Sequence, residues 1–258
     1  MKKSGIFYWK NREEDLKKIK RYHTKEVMFY RTNDLIHSKR VTAMVKEVLP
    51  FVKTLYPDLN QEKAKLIAKH HDDHEIVDGD TSLQYKLFMR ENGDKDGLSK
   101  LQEKEMMAIE MISKFYPKKV QGYFFKQIAL HAVFKDCIEA QLVSFCDKVD
   151  AYCEAIHETL AGNPIFMEPM LNYPIKTFNN LTGNFPLIKK VFSSNHNFFK
   201  FSVVCLDEYF QSGRIGAYPH TPQSIKRKVG IYHYEEWKRI TLKNFGIYPL
   251  INKVEFHK

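Results

Sequence analysis

The densest group of chemically active side chains is the run HHDDHEIVDGD at residues 70–80, which holds three histidines and five acids in eleven residues. Such a density of ionisable groups is unfavourable unless the side chains are solvated or bind a ligand. An exposed polar helix end that leads into a turn at Asp78 and Gly79 would solvate them. A bound ligand would satisfy them equally well, and the run alone favours neither explanation.

Two residues outside this run favour a metal site. His37 shares a predicted helix face with Val41, Met44 and Val45, where a single histidine is more often a hydrogen-bonded core residue than a ligand. Asp147 lies in the apolar segment LVSFCDKVDAYCEA, and a buried carboxylate needs a cation or strong hydrogen bonds. A divalent ion with two imidazoles and two carboxylates would satisfy all these groups, and mixed N/O donors suit Mn, Fe, Co, Ni or Zn better than Ca or Mg.

The elements that must position these residues are predicted to be helices. Apolar spacing predicts one helix over residues 33–56, capped by Asn33 or Asp34 and kinked or ended by Pro50. A second helix is predicted to begin at Asn60 and to run towards His71. Two more are expected at 99–115, after a turn-rich loop at 91–97, and at 135–160, before Gly162 and Pro164.

The order of these residues resembles the HD superfamily of metal-dependent phosphohydrolases, and it is most similar to the bacterial and phage HD-domain 5'-deoxynucleotidases. The matching pieces span about residues 15–165 in the family's order: Arg21-Tyr22, His37, HDDHEIVDGD at 71–80, DKVDAY at 147–152 and LAGN at 160–163. The family usually has a glutamate before the first histidine, and Ile36 stands there in this chain.

The resemblance implies a role for each matching residue. The metal ligands would be His37, His71, Asp72 and Asp147. The catalytic residues would be Glu75, which activates or orients the attacking water, Asp80 near the substrate, and Arg21 on the phosphate, with Tyr22 also in the substrate site. The resemblance further implies an all-α HD-domain helical bundle over residues 1–165 and a homodimer or larger homo-oligomer. Residues 166–258, rich in proline and aromatics, would form a mostly helical C-terminal extension packed on it.

Several neighbouring residues have alternative interpretations. Asp150 lies about one turn from Asp147 and is the second choice as ligand, and Arg31 could replace or assist Arg21. The remaining polar residues are expected outside the metal shell: Asp73, His74 and Asp78 towards solvent or outer partners, His70 away from the metal, and Lys39 and Arg40 as surface charges.

The leading hypothesis is hydrolysis of (deoxy)nucleoside 5'-monophosphates to nucleoside and phosphate. An alternative with the same site is a dNTP triphosphohydrolase. A hypothesis of another class is a nucleic-acid-binding or regulatory protein with a vestigial metal site, in which KRKVGIYHYEEWKR at 226–239 interleaves cations and aromatics. That segment is more typical of an amphipathic helix whose aromatic face packs inward.

Composition narrows the class of protein. The net charge of +10 favours anionic partners such as nucleotides, but the lysines are spread along the chain without a nucleic-acid-reading motif, which makes nucleic acid an unexpected partner. No apolar run reaches the roughly 20 residues that a membrane-spanning helix needs, and the N-terminus lacks the apolar stretch of a signal peptide. We therefore expect a cytoplasmic protein whose four cysteines are reduced thiols.

Overall fold

The structure is a computed structural model that describes residues 11–27, 33–160, 163–178 and 181–189. Within these ranges regular structure is helical apart from one short antiparallel hairpin, β1 (Lys119–Val120) and β2 (Tyr123–Phe124). The predicted all-α class is therefore confirmed. In chain order the helices are α1 (Arg12–Lys18), α2 (Asp34–Leu55), α3 (Gln61–His70), α4 (Glu75–Asp78), α5 (Leu83–Glu91), α6 (Lys95–Ile112), α7 (Phe125–Phe134), α8 (Ile138–Leu160), α9 (Met167–Asn172) and α10 (Leu181–Asn184).

Asparagine caps start the two helices that lead to the metal-binding motif. The side chain of Asn33 accepts a hydrogen bond from the Ile36 amide at 3.1 Å, and that of Asn60 accepts one from the Lys63 amide at 3.0 Å. Each bond satisfies an amide that the first helical turn leaves without a partner. The predicted starts of α2 and α3 are confirmed.

Three boundaries differ from the prediction. Pro50 does not end α2, which continues to Leu55 with the proline on its exposed side. α6 begins at Lys95 rather than near residue 99, because the Asp94 side chain accepts from the Gly97 amide at 2.8 Å and starts the helix inside the turn-rich loop. The predicted helix at 135–160 begins only at Ile138, after Lys135 has ended α7 in a left-handed conformation with φ of 54°.

The core forms where α2, α3, α7 and α8 pack against one another. It contains aliphatic and aromatic side chains from each of these helices, among them Val45, Val52, Ile67, Ile128 and Phe145. Burial of such side chains is the main favourable term in folding and gives the polar site a rigid frame.

Residues after position 165 also contribute to this core. Phe166 and Phe185 are fully buried in it, and the Phe185 ring meets that of Phe145 edge to face at 5.6 Å. The division into domains at residue 165 stays a prediction. The helical pieces predicted beyond residue 190 and the segment at 226–239 lie outside the described residues.

Two further expectations concern the chain as a whole. No helix in the part of the chain that the structure describes combines the length and the apolarity needed to cross a membrane. Within the same residues Cys137 and Cys146 form no disulfide.

Candidate metal centre and active-site cavity

Three helices bring the four predicted metal ligands together. His37 lies in the second turn of α2, His71 and Asp72 follow α3, and Asp147 lies within α8. The Nε2 atoms of the two histidines are 3.3 Å apart, and Asp147 Oδ1 lies 3.1 Å from His37 Nε2. Asp72 Oδ2 lies 3.1 Å from His71 Nε2 and 3.5 Å from His37 Nε2.

The outer nitrogens of both imidazoles are already engaged. His71 Nδ1 lies 2.9 Å from the carbonyl oxygen of Ala68, which can only accept, so Nδ1 carries the hydrogen and Nε2 keeps its lone pair for the cluster. His37 Nδ1 lies 2.7 Å from Asp150 Oδ2. A carboxylate or carbonyl behind each histidine is the arrangement typical of metal-binding imidazoles. Asp150 therefore lies behind His37, and Asp147 lies on the side where the four groups converge.

The donor set fits a divalent metal ion. Asp72 Oδ2 is buried and accepts no hydrogen bond from any described residue, although two imidazole nitrogens face it. A buried carboxylate oxygen in this state is costly unless a cation neutralises it. One ligand atom each from His37, His71 and Asp72 lie within 4.8 Å of one another, close enough for one ion to bind all three. Asp147 is not part of this close group and contacts it through His37.

Electrostatics favour positive charge at the same point. Burial and Arg21 lower the pKa of His37, but hydrogen bonds with Asp147 and Asp150 outweigh them and raise it to about 9. Burial likewise raises the pKa of Asp147, but Lys148 and His37 hold it well below its usual range. The surrounding carboxylates thus attract a proton or a metal ion to the imidazoles.

A cavity of about 500 Å³ opens beside this cluster. His71, Asp72 and Asp147 form part of its wall, and so do all three predicted catalytic residues, which are Arg21, Glu75 and Asp80. Its volume is in the range of small-molecule binding sites. Three of the four predicted ligands and all three predicted catalytic residues therefore line one cavity, whereas His37 is fully buried and is not part of its lining.

Asp34 is a site residue that the sequence indicated only as a possible helix cap. It is fully buried, and its Oδ1 atom lies 3.9 Å from Arg21 Nη1. Burial and the charge of Asp72 raise the pKa of Asp34 well above its usual range, and burial together with Asp34 does the same for Glu75. Asp34 is therefore a second acidic group close to Glu75, the predicted catalytic acid.

Tyr22 and Arg31 differ from the other predicted substrate residues. Tyr22 is not among the described residues that line the cavity: its hydroxyl donates to the Ala151 carbonyl at 2.7 Å, and its ring packs on Phe166 at 4.9 Å. These two contacts hold the Tyr22 side chain and thereby the backbone next to Arg21. Arg31 lies outside the described residues.

Several flanking charges are more buried than the sequence predicted. Asp73 is fully buried, so of its two predicted environments it has protein partners and not solvent. Arg40 is 1% exposed rather than a surface charge. Arg40 forms ion pairs with Asp150 at 2.9 Å and with Glu154 at 2.5 Å. It thereby fixes the carboxylate that in turn orients the His37 ring.

The other flanking residues differ in their partners and in their exposure. His70 turns to Asp73, with Nδ1 2.7 Å from Oδ2, and Lys39 is exposed beside Glu13. His74 is half-buried and lines the cavity. Asp78 is half-buried, and burial followed by the charge of Glu105 raises its pKa to about 7.

A sequence model of the YfbR-like 5'-deoxynucleotidases matches residues 11–180, a span that holds the whole cluster and the catalytic candidates. The chain belongs to this YfbR-like family. The resemblance seen in the motifs is therefore confirmed. The residues that match the YfbR-like model lie in α1 to α9 and in the segments between these helices.

Individual YfbR-like relatives match at modest identity. The 5'-deoxynucleotidase YfbR of Escherichia coli O127:H6 is 29% identical over 144 residues, which are 53% of this chain and 66% of that protein. A 5'-deoxynucleotidase of Cronobacter sakazakii is 26% identical over 140 residues, with the same coverage of 53% and 66%. The match thus spans just under two thirds of these relatives. A conserved hypothetical protein from Pyrococcus furiosus superposes with a TM-score of 0.46 at 21% identity, over 70% of this chain and 95% of that one.

Proposed function

We propose that the chain is an HD-type phosphohydrolase that converts (deoxy)nucleoside 5'-monophosphates to nucleoside and phosphate. The observation that carries this proposal is the convergence of two imidazole Nε2 atoms, 3.3 Å apart, with Asp72 and Asp147 at the wall of a cavity of about 500 Å³. Membership of a family described as 5'-deoxynucleotidases supports the choice of substrate.

His37, His71, Asp72 and Asp147 are the proposed metal ligands. The nitrogen and oxygen donors suit Mn, Co, Fe, Ni or Zn. Such an ion, when bound, polarises the phosphoryl group and favours deprotonation of the attacking water. Asp150 and the Ala68 carbonyl keep the two imidazoles oriented with Nε2 towards the ion.

The remaining steps fall to side chains in the cavity wall. The oxygen of a water molecule attacks phosphorus and the bond from phosphorus to the 5'-oxygen breaks. The proton that the water loses balances the proton that the 5'-oxygen gains as it becomes the nucleoside hydroxyl. Glu75 orients the water and accepts its proton, and Asp80 contacts the substrate beside it. Arg21 neutralises negative charge that develops on the phosphoryl oxygens. Tyr22 holds the Arg21 segment through its bond to Ala151.

The test is a substrate panel with the purified full chain and added Mn²⁺ or Co²⁺. Nucleoside mono-, di- and triphosphates are incubated with the wild type and Asp72→Ala, and phosphate and triphosphate release are measured. We expect phosphate from monophosphates and at least a hundredfold loss in Asp72→Ala, in line with the loss of a catalytic metal ligand. Lys100→Ala, at an exposed position of α6, is the control and keeps wild-type rates.

Other outcomes point to other functions. Triphosphate release without phosphate would indicate the triphosphohydrolase alternative. A chain that neither binds metal nor hydrolyses any nucleotide would leave the nucleic-acid-binding hypothesis, for which salt-dependent retention on single-stranded DNA is the measurement. The expected cytoplasmic location and homo-oligomeric state stay predictions.

A further inference from the structure

The cavity beside the metal cluster has more cationic side chains than one phosphate group requires. Six described lysine and arginine residues line it: Arg21, Lys86, Arg90, Lys135, Lys148 and Lys176. Of these, only Arg21 is the phosphate-binding residue of the proposed function. The others need a separate explanation.

Most of these cations have carboxylate partners. Lys86 pairs with Glu105 at 2.8 Å, Lys148 contacts the proposed ligand Asp147, and Lys176 pairs with Glu91 at 2.5 Å. Lys135 and Arg90 differ, because no ion pair joins either of them to a carboxylate in the part of the chain that the structure describes. Arg90 is exposed, whereas Lys135 is half-buried.

The backbone holds Lys135 at the cavity in an unusual conformation. It ends α7 with φ of 54°, which is unfavourable for a residue with a side chain. Its amide donates to the His131 carbonyl at 2.8 Å, and its own carbonyl accepts from Gln141 Nε2 at 3.0 Å. These two bonds fix the junction between α7 and α8 and so keep the lysine in the cavity wall.

Like charges surround the Lys135 ammonium. Burial is the largest cause that lowers its pKa, and the charges of Lys148 and Lys86 follow, against a weaker opposing effect of Asp147 and Glu105. Lys86, Lys135 and Lys148 all line this cavity, and several cationic side chains around one partly enclosed space favour the binding of an anion. A phosphate group accepts several charge-assisted hydrogen bonds at once and is the anion that a nucleotide supplies.

We propose that Lys86, Lys135 and Lys148 bind a second phosphate group of the substrate, so that the cavity favours nucleotides that carry a phosphate besides the scissile one. This inference rests on the proposed function for the identity of the scissile group. The second phosphate is either the 3'-phosphate of a nucleoside 3',5'-bisphosphate or the β-phosphate of a nucleoside 5'-diphosphate. Lys135 is the residue whose substitution tests this proposal, since no described carboxylate forms an ion pair with it.

The test compares Lys135→Met, Lys135→Arg and the exposed control Lys100→Met with the wild type, all as metal-loaded full chains. Isothermal titration gives the affinity of pyrophosphate relative to inorganic phosphate, and kinetics give kcat/KM for the 3',5'-bisphosphate, the 5'-diphosphate and the 5'-monophosphate. The direct titration remains informative if no nucleotide is hydrolysed, so failure of the subsite and failure of the proposed function are separable.

We expect Lys135→Met to reduce the preference for pyrophosphate over phosphate by about tenfold, the effect of one charge-assisted hydrogen bond. Lys135→Arg keeps most of the preference, and Lys100→Met keeps all of it. Whichever of the two nucleotides loses its preference over the monophosphate identifies the source of the second phosphate. In addition, Lys135→Met should melt at a higher temperature than the wild type without ligand, because it removes the repulsion between Lys135 and the neighbouring Lys148 and Lys86.

Two results would overturn the proposal. If Lys135→Met weakens phosphate and pyrophosphate equally, the lysine contacts the scissile phosphate and there is no second subsite. If it weakens neither, the three lysines do not bind phosphate.

Discussion

At the scale of single residues, the two aspartates of α8 contact opposite nitrogens of the same ring. Asp147 Oδ1 lies 3.1 Å from His37 Nε2, and Asp150 Oδ2 lies 2.7 Å from His37 Nδ1. The first faces the cluster of donors, whereas the second also pairs with Arg40. Two carboxylates one turn apart are therefore suited to different tasks, one to bind metal and the other to orient a ligand.

This difference predicts unequal effects on metal affinity. We expect Asp147→Asn to abolish stoichiometric metal binding, whereas Asp150→Asn weakens it by about 10- to 100-fold, as for other outer partners of metal-binding histidines. Titration of the apoprotein with Co²⁺ or Zn²⁺ measures both, and Asp58→Asn at an exposed turn is the control. Full metal binding by Asp147→Asn would contradict the assignment.

Lys135 predicts a pH dependence of stability. Burial, then Lys148 and Lys86, lower its pKa from the ordinary 10.5 to about 7. Between these two values the unfolded chain binds one more proton here than the folded chain, so stability contributed by this residue rises with pH across that window. In urea unfolding, the free energy of unfolding of the wild type should rise relative to that of Lys135→Met as the pH increases across this window. A difference between the two proteins that does not change with pH would refute this.

At the scale of elements, one buried aspartate joins three segments. Asp73, just after α3, accepts from Arg12 of α1 at 2.6 Å and from the Tyr116 hydroxyl at 2.5 Å, and it bonds His70 at 2.7 Å. Burial raises its pKa, but His70 and Arg12 lower it to about 2, so the group is ionised. The network fixes the backbone next to Asp72.

Removal of this carboxylate should destabilise the fold strongly. Asp73→Ala leaves the Arg12 guanidinium, which is 13% exposed, without its partner, and loss of one member of a buried pair costs about 3–5 kcal/mol. Guanidinium chloride unfolding measures the free energy of unfolding. Asp58→Ala, at the exposed turn before α3, should change it by less than about 0.5 kcal/mol. Equal effects of the two substitutions would argue against a structural network.

Substitution of Pro50 should stabilise the fold rather than destabilise it. It lies on the exposed side of α2, which continues for another turn, and a proline inside a helix removes a backbone hydrogen bond. Pro50→Ala should therefore stabilise the protein by about 1–3 kcal/mol. Thermal unfolding checks this against Lys46→Ala, an exposed position on the same helix. A lower melting temperature for Pro50→Ala would show that the proline relieves strain instead.

At the scale of the whole molecule, the proposed ligands come from the three helical regions that build the core. α2, α3 and α8 pack against one another, and each holds or precedes at least one ligand. An ion bound at this point stabilises the folded chain in proportion to its affinity and concentration. We expect EDTA to lower the melting temperature and Mn²⁺ or Co²⁺ to raise it in the wild type. Asp72→Ala should lose this response, and a response that persists would place the ion elsewhere.

Two helix starts and the order of the proposed ligands could be predicted from the sequence. Caps at Asn33 and Asn60 depend on an amide three residues away, and the motif at 70–80 is contiguous, so both could be predicted without a fold. The start of α6 was placed too late because its signal is the cap at Asp94. α7 was missed although Phe125, Ile128 and Ala129 have the spacing of one buried helix face.

Contacts between polar residues of different helices could not be predicted from the sequence. His37 and Asp150 are 113 positions apart, as Arg40 and Asp150 are 110 apart, and no local pattern reports a contact between helices so distant in sequence. The same holds for Asp34 near Glu75 and for Lys86 and Lys148 near Lys135, because these residues come from different helices. The physical reason is that helix periodicity fixes which face a side chain is on, whereas the neighbour across that face is set by packing.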